Sequence, residues 1–288
     1  MNERKKMKKN CLKSNSVLLA ACCLAAMTAF TGCKDSNDKN SETGIMRPIA
    51  KNVIGKWNME KSQKKQDGKW VEDPIPEGEG HIYTLRADGT ALSAFTAPDG
   101  YTKLNSGEWK VDEATGRLTL GTMTVDVLSL DAASLVMGHD EARDSETGEI
   151  MQGEFRWTFA RMDESPKTLA EQLVGKWMLS KSYEKKNGEW VENSGGLPDE
   201  GWHLYRANGT FTAYSRSGEH EFTSDTNWVA NCTTGTVRWT AESGQSSTAN
   251  VTIEADGTLS VFYANSFDPV TGQSVAGEFK DVMVRAQE

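Results

Sequence analysis

Cysteine is scarce in this sequence of 288 residues, and its distribution does not favour cross-linking. Four of the five cysteines lie within the first 33 residues, and the fifth is Cys232. No pair of cysteines is left beyond residue 33, so a disulfide framework is not expected in that part of the chain. Its stability must come from a hydrophobic core, which a chain of this length can bury.

Basic residues and long apolar runs are sparse beyond residue 32. The first 32 residues hold six Lys or Arg and one Glu, which leaves 26 basic and 40 acidic residues, a formal charge of about −14, for the rest. An acidic surface without a basic cluster argues against nucleic acid, because that binding depends on neutralising phosphates. It argues equally against docking on anionic lipid. No later run approaches the roughly 20 apolar residues of a membrane span.

Motifs for catalysis or metal binding are absent from the sequence. None of the four histidines has a partner at metal-ligand spacing: His81, His139, His203 and His220. There is neither a Gly-x-Ser-x-Gly elbow nor a glycine-rich phosphate loop. Asp144, Glu146 and Glu149 could ligate calcium, but they flank a Thr-Gly turn, which favours a solvated hairpin. We therefore predict that the protein is not an enzyme and holds no metal or cofactor.

The amino-terminal residues have the pattern of a secretory signal. A basic segment at 2–13 precedes an apolar run at 17–30 that is too short for a comfortable membrane span. Thr31 and Gly32 then precede Cys33, and this sequence resembles the lipobox of bacterial lipoproteins. The resemblance implies a signal peptide at 1–32 and acylation of Cys33. Because several acyl chains bind a bilayer stably, the chain is expected to be anchored to a membrane, not to span it.

The segment 33–50 is expected to be a lipidated, flexible tether. In some Gram-negative gut anaerobes, a lysine and acidic residues directly after the lipidated cysteine mark export to the outer cell face. Lys34, Asp35 and Asp38 resemble that signal, although a plain polar tether accounts for them as well. The expected location is the cell envelope, anchored in the outer membrane and exposed at the surface.

The rest of the sequence repeats itself at an offset of about 120 residues. The matching segments are 53–57 with 173–177, 64–72 with 185–192 (one residue deleted), 86–90 with 206–210, and Gly153 to Phe155 plus Arg161 with Gly277 to Phe279 plus Arg285. The repeat predicts two domains, at 51–162 and 173–288. A linker at 163–172 joins them, and 168–173 is expected to form one short helical turn.

Each copy has the turn chemistry of a chain of β-hairpins. Asp-Gly or Asn-Gly pairs suit tight hairpin turns, and they alternate with short runs such as 81–85 and 251–253. About eight strands per copy follow. Such a meander must close into a barrel or pack as a sandwich, and closure removes exposed strand edges. We predict an all-β protein of two tandem up-and-down antiparallel β-barrels.

Both copies begin with Gly-x-Trp, at Gly55-Lys56-Trp57 and Gly175-Lys176-Trp177, and end near an arginine, Arg161 or Arg285. These residues resemble the lipocalin superfamily, in particular tandem lipocalin-like lipoproteins of Gram-negative gut anaerobes. The resemblance implies that each arginine lies across its tryptophan at the closed end of a barrel. It also implies a calyx for small hydrophobic molecules. The family's Thr-Asp-Tyr motif is missing and each copy is short, so side chains alone could fill such a barrel.

The last strand of each copy is expected to line the interior. Every second residue before the inward-pointing arginine belongs to this set: Phe155, Trp157 and Phe159 in the first copy, and Phe279, Asp281 and Met283 in the second. If the interiors are cavities, the first suits an apolar ligand and the second offers Asp281 as a polar anchor. Alternatively, the aromatic residues are ordinary core and Asp281 is paired with a nearby Lys or Arg.

Trp70 and Trp190 occupy matching positions shortly after a turn glycine. If exposed, they would stack on a sugar or on a partner protein. If buried, they would pack as a lid over one barrel end.

Two functions are consistent with these patterns. The expected one is an anchored protein whose barrels bind a small lipophilic or amphipathic ligand. The alternative is a non-enzymatic interaction protein that presents barrel loops to a protein or glycan and has side-chain-filled barrels. A cavity of about 300 Å³ or more inside a barrel would distinguish the first from the second.

Overall fold

The computed structural model describes residues 44–143, 149–164, 167–193, 197–267 and 274–287. The predicted signal peptide, Cys33 with its acidic neighbours, and the residues Asp144 and Glu146 lie outside the described residues.

The described chain consists of two similar series of strands, each preceded by a short helix. The first series comprises α1 (Ile49–Asn52), β1 (Gly55–Gln66), β2 (Lys69–Glu72), β3 (Gly80–Leu85), β4 (Thr90–Thr96), β5 (Tyr101–Asp112), β6 (Arg117–Leu120), β7 (Met123–Leu130), β8 (Ser134–Arg143) and β9 (Ile150–Met162). The second comprises α2 (Leu169–Leu173), β10 (Gly175–Lys186), β11 (Glu189–Glu192), β12 (Glu200–Tyr205), β13 (Thr210–Ser217), β14 (His220–Asn231), β15 (Thr236–Thr240), β16 (Ser246–Ile253), β17 (Leu259–Phe267) and β18 (Ser274–Arg285). The helical turn predicted at 168–173 is confirmed by α2.

Antiparallel pairing closes the first series into a ring. β1 pairs with β3, each strand from β3 to β8 pairs with the next, and β9 pairs back onto β1. The short β2 pairs with the far end of β1. The prediction of an all-β chain with a closed eight-strand antiparallel barrel is therefore confirmed. The second series is paired in the same cyclic order, from β10 with β12 through to β18 with β10.

The first hairpin has the same tight turn in both halves. Asp67 and Asn187 adopt left-handed φ values of 50° and 52°, and each is followed by a glycine that is also left-handed. Asp, Asn and Gly tolerate these values best, which is why such pairs form two-residue hairpin turns. Trp70 and Trp190 then pair with equivalent lysines on β1 and β10. The hairpins correspond residue for residue, so the deletion that we predicted in this segment is wrong.

One face of the strands in the first half forms a continuous buried core. Its members include Trp57, Tyr83, Leu85, Leu118, Val125, Val127, Leu130, Leu135, Met137 and Phe159. Ile49 of α1 and the adjacent Val53 are fully buried in the same cluster. Residues 45–50, which we expected in the tether, therefore pack on this half. Ile45 pairs with Leu130, and Glu113 accepts hydrogen bonds from the first backbone amides of α1.

The second half has a corresponding core. Its members include Leu173, Trp177, Tyr205, Phe211, Trp228, Val237, Val251, Leu259, Val261 and Met283. Cys232 is the single cysteine among the described residues, so the expectation that no disulfide framework lies beyond residue 33 stays a prediction for the body as a whole.

The two halves pack against each other through the outer face of β4 and β5. Leu92, Ala94 and Leu104 lie on that face, and they belong to the same buried cluster as the core of the second half. A short antiparallel pairing joins β5 to β14, with Thr102 opposite Ala230. The halves therefore share apolar surface and backbone hydrogen bonds.

A buried ion pair also joins the halves. The Nζ of Lys56 on β1 lies 2.8 Å and 3.0 Å from the two carboxylate oxygens of Glu171 on α2. The Lys56 side chain is 2% exposed and that of Glu171 is 9% exposed. Glu171 also accepts a hydrogen bond from the backbone amide of Thr168, whose hydroxyl accepts one from the amide of Glu171. This reciprocal capping box fixes the carboxylate that Lys56 contacts.

Candidate binding surfaces

Each half has one closed end built on a tryptophan and an arginine. The guanidinium carbon of Arg161 lies 4.1 Å from the centre of the Trp57 ring, and that of Arg285 lies 4.3 Å from the Trp177 ring. The structure thus brings together both pairs that the resemblance implied. Both indoles are buried, and each donates its Nε1 hydrogen to the carbonyl four residues earlier at 2.7 Å.

The arginines also hold the backbone at these ends. Arg161 donates to the carbonyls of Asn52, Ile54 and Ala132 at 2.6 to 2.8 Å, and Arg285 makes two equivalent bonds on its own half. Gly55 has a φ of +138°, and a Cβ there would collide with the Arg161 guanidinium. The Gly-x-Trp motif begins with glycine because the arginine guanidinium occupies the space that a Cβ would need. We therefore assign these two ends a role in stabilising the fold and not in binding.

Aromatic side chains fill the opposite, open end of the first ring. Phe155 and Phe159 are buried, and Trp157 is half-buried. The His139 ring centroid lies 3.7 Å from that of Trp157 and 5.4 Å from that of Phe155. The Phe159 ring centroid lies 5.6 Å from that of Tyr83, so all three residues that we expected to line this interior pack against other aromatic rings.

A second histidine is half-buried in the same ring. His81 Nε2 lies 2.9 Å from the hydroxyl of Ser93, and burial lowers the pKa of His81 to about 4. In the second half, burial lowers the pKa of His203 to about 4 as well. Both imidazoles are therefore neutral near pH 7.

The second half has a polar group at the position of Trp157. Asp281 accepts a hydrogen bond from the hydroxyl of Tyr263 at 2.9 Å, and Tyr263 stacks on Phe279, with ring centroids 5.7 Å apart. Burial raises the pKa of Asp281, while hydrogen bonds from Ser182 and Tyr263 act in the opposite direction. No salt bridge involves Asp281 within the described residues, so hydroxyl groups take the place of the Lys or Arg partner that we had considered.

Trp70 and Trp190 are half-buried on the outer wall of their rings. The guanidinium carbon of Arg156 lies 4.4 Å from the centre of the Trp70 ring, and Gln63 holds that guanidinium by two hydrogen bonds. Trp190 instead packs against Phe262, with ring centroids 5.9 Å apart and planes tilted by 57°. Neither tryptophan forms a lid over an open end.

The Trp190 side chain borders a groove of about 250 Å³ on the outer wall of the second half. Residues of β16 to β18 complete the lining: Thr248, Ala249, Asn250, Phe262, Tyr263, Ala264, Glu278 and Phe279. A larger and more open depression of about 570 Å³ is lined by Lys65, Gly68, Asp140, Gly153 and Glu154.

Nothing in the described part of the chain forms a metal site, since no group of three or more His, Cys, Asp or Glu side chains converges there. The helices of the described ranges are too short to cross a bilayer.

The chain matches no known protein family and no curated protein.

Sequence reasoning missed Phe262 and Lys56. Phe262 aligns with Gly138 in the first half, since both pair with the residue five before the terminal arginine. This difference between the copies was visible in the sequence once the register was known. Lys56 carried no such signal, because its burial depends on how the two halves meet.

Proposed function

We propose that the protein is a non-enzymatic, lipid-anchored envelope protein that binds its partner through its outer surface. The observation that carries this proposal is the packing of both interiors. Phe159 and Leu118 are fully buried in the first half, as are Leu259 and Tyr205 in the second. Because large side chains occupy these interiors, surface contacts are a better basis for function than a calyx.

The anchor and the location are proposed from the amino-terminal sequence. The basic segment, the apolar run and Cys33 favour export, cleavage and acylation. Lys34, Asp35 and Asp38 favour display on the outer face of the outer membrane. The acidic surface then keeps the body away from anionic lipid.

We also propose that the two halves are tandem lipocalin-like barrels. Both have a Gly-x-Trp opening strand, the same order of strand pairing and an arginine stacked on the tryptophan. Since a fold does not determine function, this relationship supports the architecture and not the ligand.

Native mass spectrometry of the protein purified from its own host tests the proposal. We expect lipid on the peptide that begins with Cys33 and no small molecule retained by the folded body. Retention of a lipophilic compound that is lost in the Trp157→Ala variant would contradict the outer-surface proposal. It would support ligand binding inside the barrel instead.

A second candidate function rests on Asp281. A half-buried carboxylate without a cationic partner among the described residues suits an amphipathic ligand that carries a positive charge or a hydrogen-bond donor. Asp281→Asn keeps both hydroxyl hydrogen bonds and removes the charge. If Asp281 serves only the fold, this variant should raise the free energy of unfolding at pH 7 by about 1 kcal/mol, measured in urea. A variant that loses a co-purifying ligand would support the candidate.

A further inference from the structure

We propose that the groove formed by Trp190, Thr248, Asn250, Phe262 and Glu278 binds one pyranose ring of a neutral glycan. The inference rests on the proposed outer-surface function and names the chemical class of its ligand.

The apolar part of the groove fits the C–H faces of a sugar ring. Trp190 and Phe262 meet at 57° with centroids 5.9 Å apart, so they present two aromatic surfaces at an angle. Aromatic rings offer a large, rigid contact area to such faces. The volume of about 250 Å³ lies below the range of roughly 300 to 1,000 Å³ typical of sites for drug-sized ligands. It suits a single ring and not an extended chain.

The polar part of the groove offers both hydrogen-bond donors and acceptors. Asn250 is exposed, and its amide supplies an acceptor oxygen and two donor hydrogens. The Thr248 hydroxyl can donate or accept a hydrogen bond, and the Glu278 carboxylate accepts hydrogen bonds. Lys185 holds that carboxylate, with Nζ 3.0 Å and 2.9 Å from its two oxygens. Vicinal sugar hydroxyls need this combination, because each is both donor and acceptor.

The charges around the groove favour a neutral sugar. Glu278 is already paired with Lys185. The remaining nearby cation, Lys280, lies 5.5 Å from the Trp190 ring centre and 4.4 Å from that of Tyr183. The whole chain carries a formal charge of −9, which disfavours acidic glycans.

The first half provides an internal comparison, because the aromatic neighbour of Trp190 is missing at the matching position there. Gly138 stands in place of Phe262, and the Leu128 side chain covers it, since a Cβ on Gly138 would lie 2.8 Å from Leu128 Cδ1. The guanidinium of Arg156 occupies one face of Trp70. Trp70→Ala is therefore a matched control for Trp190→Ala.

The test is a titration of the full chain in detergent with gluco-, galacto- and manno-oligosaccharides, followed by saturation-transfer difference NMR. We expect saturable binding of at least one series with a Kd on the order of 1 mM, typical of a single small ring. Trp190→Ala should weaken it at least about tenfold and Asn250→Ala about fivefold, whereas Trp70→Ala should leave it within about twofold. Urea unfolding of each variant reports whether the fold is retained.

Three outcomes would overturn the inference: no saturable binding to any neutral series, binding of acidic oligosaccharides alone, or equal losses in Trp70→Ala and Trp190→Ala with both variants folded. The proposed outer-surface function fails on a different result, a lipophilic molecule retained inside a ring in native mass spectrometry. The two proposals can therefore fail separately.

Discussion

Arg161 connects three separate segments at the closed end of the first half. Its guanidinium donates to Asn52 at the end of α1, to Ile54 before β1 and to Ala132 between β7 and β8. It also lies on the face of Trp57. An arginine suits this position because its planar group directs several donors at once.

We predict that Arg161→Ala lowers the free energy of unfolding by about 3 kcal/mol, because three carbonyls lose their donor and the cation–π contact is lost. Urea unfolding measures the change. Arg161→Lys keeps the charge but not the directed donors, and should recover less than half of the loss. A lysine variant as stable as the wild type would show that charge alone is sufficient.

The two half-buried histidines should make the fold sensitive to acid. His81 and His203 have a pKa of about 4 in the folded chain, below the usual value of 6.5 that applies when the chain is unfolded. The unfolded state therefore takes up protons first as the pH falls, and stability is lost between about pH 6.5 and 4.

We predict a loss of about 2 kcal/mol per histidine between pH 7 and pH 5. Urea unfolding at the two pH values measures it. His203→Gln should remove its share of the pH dependence whatever its effect on stability at pH 7. An unchanged difference between the two pH values in that variant would contradict the assignment.

At the scale of elements, α2 depends on its cap because it has only five residues. The hydroxyl of Thr168 accepts from the amide of Glu171 at 3.1 Å, and the Glu171 carboxylate accepts from the amide of Thr168 at 2.7 Å. A helix this short is not stable by propensity alone.

We predict that Thr168→Ala lowers the free energy of unfolding by about 1 kcal/mol, since the first turn of α2 loses its side-chain acceptor. Thr168→Ser retains the hydroxyl and should stay within about 0.5 kcal/mol of the wild type in the same urea measurement. Equal losses in the two variants would assign the effect to the methyl group instead.

The elements were the most predictable part of the fold, because turns and alternation are local. Asp-Gly and Asn-Gly pairs located the first hairpins, and counting back from Arg161 reaches the buried Phe155 and Phe159. The neighbours of outward-facing residues were not predictable, because they come from distant strands. Whether Arg156 lies on Trp70, and Phe262 beside Trp190, depends on the registers of the strand pairs. Those registers contain bulges, such as the one between Leu179 and Lys181, that the sequence does not reveal.

At the scale of the whole molecule, the Lys56–Glu171 pair makes the halves depend on each other. Both charged groups are removed from water, and each is the other's partner. Removing one side of such a pair leaves a buried charge without compensation.

We predict that Lys56→Met lowers the free energy of unfolding by about 3 kcal/mol, and that adding Glu171→Gln restores most of that loss. Glutamine at position 171 keeps an oxygen that can accept the hydrogen bond from the Thr168 amide in the cap of α2. The double variant therefore reports the effect of removing the unpaired charge and not of losing the cap. Urea unfolding followed by tryptophan fluorescence should also show one transition for the wild type and two for Lys56→Met. A double variant no more stable than the single one would contradict this coupling.

The contact between the two halves of one molecule is poorly suited to form again between the second half of one molecule and the first half of another. If another molecule docked its first half on the second half in the same way, α1 would take the place of α2, and Lys51 would stand where Glu171 does. It would approach Lys176, the counterpart of Lys56, so two ammonium groups would meet without a carboxylate. Trp202 and Thr212 also replace the apolar pair Ile82 and Leu92. We therefore expect this contact to disfavour head-to-tail growth of the array into a fibre.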